Sequence, residues 1–310
     1  MTPLSALMAA TGASVVGVRG PDTWSFLQSL LSQDLDPLGD GQGGRSLLLA
    51  PRGRLVAAFR VLRVGPEHAV LDAAPGVGPA LVEALGRFKI RVAVEIEDRM
   101  QTWDVLSVRG PEAVAAIERV VGIDVPATQH EFVAVDDGYA VRADWGTSAG
   151  VDLVAPVPTI ERVGALLADA GVVDDAAGLE LARIAAGIPL QGRDIDDRTI
   201  PQEAFLERDA VSFTKGCFVG QELVCRIDTR GAAVPRYLRH VEIAGTDVPA
   251  LGATIVVDGV ERGVVTSAAR DDDHVIALAL VPRAVDPPAD AEVQWDTERR
   301  HAFIRALPAP

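Results

Sequence analysis

The run Lys215-Gly216-Cys217-Phe218-Val219-Gly220-Gln221-Glu222 gathers the residue types of this chain best suited to chemistry. One of only two cysteines in 310 residues lies there, after a lysine–glycine pair and before an aromatic. Glycines at 216 and 220 permit sharp turns and let backbone come close to a ligand. From Gln221 to Ile227 the residues are helix formers, and a helix beginning there would aim its free N–H groups back at Cys217. A helix N-terminus and a nearby lysine both favour thiolate, which makes Cys217, with Lys215 beside it, a candidate reactive sulfur. The same spacing suits a small buried hydrophobe in a tight turn equally well. Cys225, without flanking glycines or lysine, is assigned to packing.

Glu222 and Arg226 stand four apart, so on a helix they share a face. They pair with each other there, or they form polar walls of a binding pocket. The histidines at 68, 130, 240, 274 and 301 are scattered with no metal-ligand spacing and read as surface or strand residues. No glycine-rich phosphate loop opens a helix after a strand, and no nucleophile-elbow sequence is present.

The elements that must position the signature are legible in the hydropathy pattern. Ser14–Val18 reads as a strand, and Asp22–Leu31 as a helix that places Trp24, Leu27 and Leu31 on one face, with Pro21 at its start. The tetrapeptide Val-Arg-Gly-Pro occurs at 18–21 and again at 108–111, an offset of 108 − 18 = 90 residues, at the same strand-to-helix junction. This reads as a weak internal duplication, with coincidence the alternative. Between the copies, 45–50 and 54–64 form a hairpin across Pro51-Arg52-Gly53, 68–72 a third strand, 79–88 a helix and 89–97 a half-buried strand. The arginines at 45, 52, 54, 60 and 63 read as solvated side chains of that strand pair. Past the second copy come strands at 131–135, 139–143 and 151–155, helices at 159–170 and 175–186, and a polar loop at 191–208. From Tyr237 onward short strands with an Asp258-Gly259 turn predict a small antiparallel barrel, joined through a linker at 231–235.

These elements imply an α+β fold: two related antiparallel-sheet-plus-helix units, residues 1–100 and 101–230, and a C-terminal β-barrel, 237–310. A net charge of −15 argues against an electrostatic grip on nucleic acid or on an anionic membrane. The N-terminal segment has no positive region before Arg19 and does not read as a signal peptide, and no apolar run is long enough to span a bilayer. Two cysteines eight apart are neither a disulfide framework nor a zinc pattern, which points to the cytoplasm.

Lys-Gly-Cys-Phe-x-Gly-Gln-Glu resembles the signature of the YgfZ family, folate-binding relatives of the glycine-cleavage T-protein (aminomethyltransferase) that support iron–sulfur enzymes. Leu181–Leu190, Thr199-Ile-Pro-Gln-Glu203, Arg230-Gly231 and Pro235-Arg236 resemble the flanking segments of that family, in the same order. The resemblance is good over about 151–239 and looser elsewhere. It implies two α+β units and a barrel around a central tetrahydrofolate site, with Gly216, Phe218, Gly220, Gln221, Glu222 and Arg226 as folate-binding residues. It also implies Cys217 and Lys215 as the chemical pair, and iron–sulfur client or assembly proteins as partners.

Two departures bear on activity. T-proteins carry an aspartate needed for catalysis in the hairpin after the first helix, whereas Arg52–Phe59 holds no carboxylate. General acid–base help of that kind is worth about 10²–10⁴-fold in rate, so aminomethyl transfer is the alternative reading. Ala185 stands where T-proteins have a pterin-associated glutamate.

Overall fold

The computed structural model describes residues 5–230 and 233–308. Part of the expected linker, Gly231 and Ala232, lies outside the described residues, as do residues 1–4.

The chain runs β1 (Leu7–Ala10), β2 (Ser14–Arg19), α1 (Thr23–Leu30), β3 (Gln42–Leu49), β4 (Leu55–Gly65), β5 (His68–Ala73), α2 (Gly78–Phe88) and β6 (Glu95–Asp98). It continues with β7 (Trp103–Arg109), α3 (Ala113–Val121), β8 (Phe132–Val135), β9 (Gly138–Arg142), β10 (Gly150–Pro156), α4 (Val157–Asp169), β11 (Val173–Asp174) and α5 (Ala176–Ala185). After a 3₁₀ turn at Pro201–Glu203 come α6 (Glu207–Ala210) and α7 (Gln221–Arg230). The barrel strands are β12 (Arg236–Ala244), β13 (Thr254–Val257), β14 (Val260–Asp271), β15 (His274–Pro282), β16 (Ala289–Trp295) and β17 (Glu298–Arg305).

Three sheets result: β3-β4-β5-β2-β6, β11-β1-β7-β10-β9-β8, and a closed barrel β12-β15-β14-β13-β16-β17. The first is antiparallel throughout; in the second only β1 and β11 run parallel. On the first sheet, Phe26, Leu27 and Leu30 of α1 and Leu81 and Leu85 of α2 are buried against Val16, Val18 and Leu71. Ile117 of α3 and Ile160, Val163 and Leu167 of α4 bury likewise on the second sheet. Val15, Leu62 and Val70 meet Val105, Val141 and Val154 where the two sheets face each other. The turn Asp258-Gly259 has φ of 52° and 74°, the positive values expected of a tight hairpin.

β1 precedes the first sheet in sequence yet pairs with β7 and β11, so residues 7–10 of the 1–100 span sit in the second sheet.

The repeated tetrapeptide marks the same local geometry twice. Gly20 has φ +135° and Gly110 +121°. A side chain at Gly20 would come within 2.2 Å of the Ala93 carbonyl oxygen, and one at Gly110 within 2.5 Å of that of Ser5. Asp22 accepts from the Ala93 N–H at 2.7 Å, and Glu112 from the Ser5 N–H at 2.7 Å. This close backbone approach is what the glycine supplies in both copies.

Three expectations are corrected. The strand expected over 89–97 exists only at Glu95–Asp98, because Ala93 is bonded to the Asp22 turn instead and Ile90 is 74% exposed. Arg60 is not solvated. It is 7% exposed, and its guanidinium pairs with Asp72 and Asp152 at 3.0 Å each, joining the first sheet to the second. The polar segment 191–208 is no free loop, since it contains the 3₁₀ turn and α6.

Burial alone would raise the Asp152 carboxyl, but Arg109 and Arg60, with the Ser107 hydroxyl, hold it at about 2. Arg109 reaches Asp152 at 2.7 Å and lies 4.0 Å from the centre of the Trp145 ring.

Candidate functional site

The signature occupies a turn wedged between the end of α1, the tip of the β3–β4 hairpin and the start of α7. Hydrogen bonds fasten its approach to the first unit. Ser212 donates its N–H to the Ser32 carbonyl at 2.9 Å, the Ser32 hydroxyl donates to the Ala210 carbonyl at 2.6 Å, and the Gln33 amide donates to the Asp209 carbonyl at 2.8 Å.

Lys215 completes that attachment. Its ammonium donates to the carbonyls of Leu31 (2.7 Å), Gln28 (2.8 Å) and Gln33 (2.9 Å), and to Gln28 Oε1 at 3.3 Å. The carbonyls left unpaired at a helix C-terminus attract a cation, so this lysine caps α1. Burial lowers its pKa, while Asp34 and Asp36 act the other way. Among the described residues no hydrogen bond joins Lys215 to Cys217.

Cys217 is exposed, and a side chain at Gly216 would meet nothing within 4 Å. Phe218 is turned inward and buried with Leu49, Leu55, Val224, Leu238 and Leu278, residues of the hairpin, α7 and the barrel. Gly220 has φ +79°, and a side chain there would strike the Ala50 carbonyl oxygen at 2.5 Å. Opposite it, Gly53 has φ +74° and is closed off by Leu223 at 2.6 Å. Two glycines thus let the hairpin tip and the start of α7 touch backbone to backbone.

α7 forms as expected, running on to Arg230, with the Gln221 N–H donating to the Phe218 carbonyl at 3.3 Å. Arg226 pairs with Glu222 on the outer face of this helix, where the Glu222 side chain is 82% exposed and that of Arg226 49%. Cys225 is half-buried.

Residues to which the sequence assigned no role at the site hold the opposite wall. Gln191 accepts from the Ala58 N–H and donates to the Val56 carbonyl, both at 2.8 Å, so its side-chain amide serves β4 as a strand would. Leu55 donates to the Thr199 carbonyl at 3.0 Å. Gln202, 7% exposed, donates to the Val224 carbonyl at 3.0 Å and leaves its own Oε1 buried with no partner. Glu203, 2% exposed, accepts from Arg236 of β12 at 3.1 Å, which ties the barrel to this wall. None of these contacts could be picked out by spacing, because the partners lie 22 to 144 residues away.

Pro51–Phe59 carries no acidic side chain toward the signature, and Ala185, at the end of α5, is exposed. Among the described residues no three His, Cys, Asp or Glu side chains converge as a metal site, and no helix is long and apolar enough to cross a membrane.

The sequence pattern of the GCVT N-terminal domain matches residues 5–215. This chain belongs to the GCVT family. It is 30% identical over 306 residues to the aminomethyltransferase of Rubrobacter xylanophilus, covering 95% of this chain and 80% of the relative. It is 26% identical to the aminomethyltransferase of Herpetosiphon aurantiacus, with 81% and 70% covered. The fold matches that of the glycine cleavage system aminomethyltransferase T of Bartonella henselae, with a TM-score of 0.85 and 22% identity over 99% of this chain and 87% of that one. The T-protein plan of mixed sheets with helices and a closed barrel is therefore that of this protein.

Proposed function

We propose that this GCVT-family protein binds tetrahydrofolate where the signature turn, the β3–β4 hairpin and the barrel-facing wall meet, and that its chemistry uses the Cys217 thiol. The observation that carries the proposal is the exposed sulfur on a turn whose neighbours leave open space, opposite a hairpin without a carboxylate. The pterin edge presents amino and ring N–H donors, and the unspent Oε1 of Gln202 is an acceptor for them in place of the carboxylate that Ala185 does not supply. A buried acceptor without a partner costs about 1–3 kcal/mol, which a bound donor would recover. In this reading the protein is of the YgfZ type, and the thiol serves assembly, repair or maintenance of iron–sulfur clusters in partner enzymes. A single thiolate cannot hold a cluster by itself, so further ligands come from the partner.

A second reading, folate-dependent aminomethyl transfer, has the support of the relatives, whose names specify that activity over most of the chain. The comparisons favour it over iron–sulfur work; the residues of the hairpin count against it, because Val56 and Ala57 can neither relay a proton nor stabilise a cation on folate nitrogen.

Titration of tetrahydrofolate into the purified protein tests the shared step, and absence of saturable binding rejects both readings. Turnover with tetrahydrofolate and an aminomethylated lipoyl carrier would select the transferase. Loss of iron–sulfur enzyme activity in cells that carry only Cys217→Ala would select the thiol reading, and full rescue by that variant would remove the thiol from the mechanism.

A further inference from the structure

The hairpin that reaches the signature has a strand on both sides for only part of its length. The last residue of β5, Ala73, stands opposite Phe59, so Leu55–Ala58 of β4 run on with β3 on one side and no strand on the other. Backbone groups on a covered edge need partners. The segment 191–199 supplies them: the Gln191 side-chain amide takes the Ala58 N–H and the Val56 carbonyl, and the Thr199 carbonyl takes the Leu55 N–H. The place of this half of the hairpin thus depends on what fixes Gln191.

Gln191 lies on a tight turn closed by Asp194. The Asp194 N–H donates to the Leu190 carbonyl, its carboxylate accepts from the Leu190 N–H, and the Gly192 N–H donates to the Ile195 carbonyl, each at 2.8 Å. Asp194 is 1% exposed, and its remaining partners come from outside the turn. Arg183 of α5 donates to Oδ2 at 2.8 Å, and Thr266 and Ser267 of β14 donate to Oδ1 at 2.5 and 2.7 Å. Ser267 in turn accepts from Arg183 at 2.7 Å, which closes a ring of three side chains.

Consecutive side chains of a regular strand point to opposite faces, so Thr266 and Ser267 could not both reach one oxygen from it. β14 is bulged at this place: Val265 stands opposite Ala279 and Ser267 opposite Leu278, which leaves Thr266 as the extra residue. A bulge interrupts the ladder and re-aims a side chain. Here it aims two barrel hydroxyls at the carboxylate that closes the Gln191 turn.

We propose that Asp194 is a positioning residue of the ligand site: Arg183 and the bulge of β14 fix Asp194, Asp194 fixes the turn, and the turn sets the hairpin through Gln191. The part that concerns a ligand rests on the tetrahydrofolate reading; the coupling itself does not. Amide hydrogen exchange of the full chain reads the coupling, because it reports local opening at the Ala58 N–H. Asp194→Asn, which removes an acceptor from Arg183 and Leu190, should speed exchange at Ala58 about tenfold, and Ser267→Ala, which keeps the ion pair, about threefold. Amides of β4 beyond Phe59, flanked by β5, should keep their rates. With Gln191→Ala already in place, Asp194→Asn should add nothing at Ala58, since a residue that acts through another shows no separate effect. In titrations with tetrahydrofolate, Asp194→Asn and Gln191→Ala should each raise Kd about tenfold and the double variant no further. Parent-like exchange at Ala58 in Ser267→Ala, effects of Asp194→Asn and Gln191→Ala that multiply, or a parent-like Kd in Asp194→Asn overturns the proposal and leaves Asp194 a clamp for the barrel alone. If Asp194→Asn does not fold, Ser267→Ala decides by itself. A parent chain that does not bind tetrahydrofolate rejects the folate reading, while the exchange rates still decide the coupling.

Discussion

The two α+β units share one plan, and the difference between them that reaches the signature lies in one hairpin. In sheet order β3-β4-β5-β2-β6 corresponds to β8-β9-β10-β7-β1, and the two glycine turns, 90 residues apart, make the same contacts. Yet β3 and β4 have 8 and 11 residues, whereas β8 and β9 have 4 and 5. The short hairpin turns at Asp136-Asp137 and is tied to its own helix, with Thr159 donating to Asp137 at 2.8 Å and Arg162 paired with Asp136. The long one overshoots its own unit, and its tip at Gly53 meets α7. By lengthening two strands in one copy, a repeated fold thus gains a surface that meets the signature helix, which the shorter hairpin does not reach.

The largest expected effect breaks the joint between the copies. Arg60→Met leaves Asp72 and Asp152 buried beside a neutral side chain, and should cost about 3–5 kcal/mol in a urea unfolding curve. Gly53→Ala and Gly138→Ala come next. The first introduces a side chain at φ +74° against Leu223, the second places one 2.4 Å from the Ala155 side chain. Strain at such positions is worth roughly 1–3 kcal/mol, so both should lower the melting temperature. Only Gly53→Ala should also weaken tetrahydrofolate binding; equal loss of affinity in both would erase the functional distinction between the hairpins. Lys215→Met removes the cation at the end of α1 and should cost about 1–2 kcal/mol, and Lys215→Arg should recover part of that.

The effect smallest at neutral pH is that of two histidines, and it grows on acidification. Burial, then Arg60 and Arg45, hold His130 of the second unit at about 3 against an ordinary 6.5, and His68 of the first is held at about 4. Unfolding releases both to titrate near 6.5, so the unfolded chain binds more protons below that pH and stability falls as the solution is acidified. His130→Gln should flatten stability against pH between 6.5 and about 3, and His68→Gln between 6.5 and about 4. Urea midpoints collected from pH 7 to pH 3 would separate the two, because only the His130 contribution goes on changing below pH 4.

Much of this fold is legible because its signals are local. Alternating Val and Leu, the Gly-Pro junctions and the Asp-Gly turn each act over a few residues, and the strands, helices and barrel follow from them. The signature was legible as a turn before a helix for the same reason. The role of Lys215 was not, because its acceptors at Gln28, Leu31 and Gln33 are 182 to 187 residues away and nothing near it names them. Arg60 misled for a related reason, with Asp152 92 residues on. Its surroundings held a clue: Ala57, Phe59, Val61 and Leu62 cover both faces of the strand, which leaves no side open to water at that height. The Lys89–Val94 alternation failed because the Asp22 carboxylate claims the Ala93 N–H.

β1 stands opposite β7, with Leu7 beside Arg109, 102 residues later in the chain. A ribosome delivers that strand before its neighbours exist, so it must wait, unpaired and apolar, while the whole first sheet is made. Closing so long a loop is slow, and the interval exposes a strand edge to other chains. Bulky fusions at this end would therefore be felt first in the yield of soluble protein and in the second unit, which lies farther along the sequence than the fusion itself.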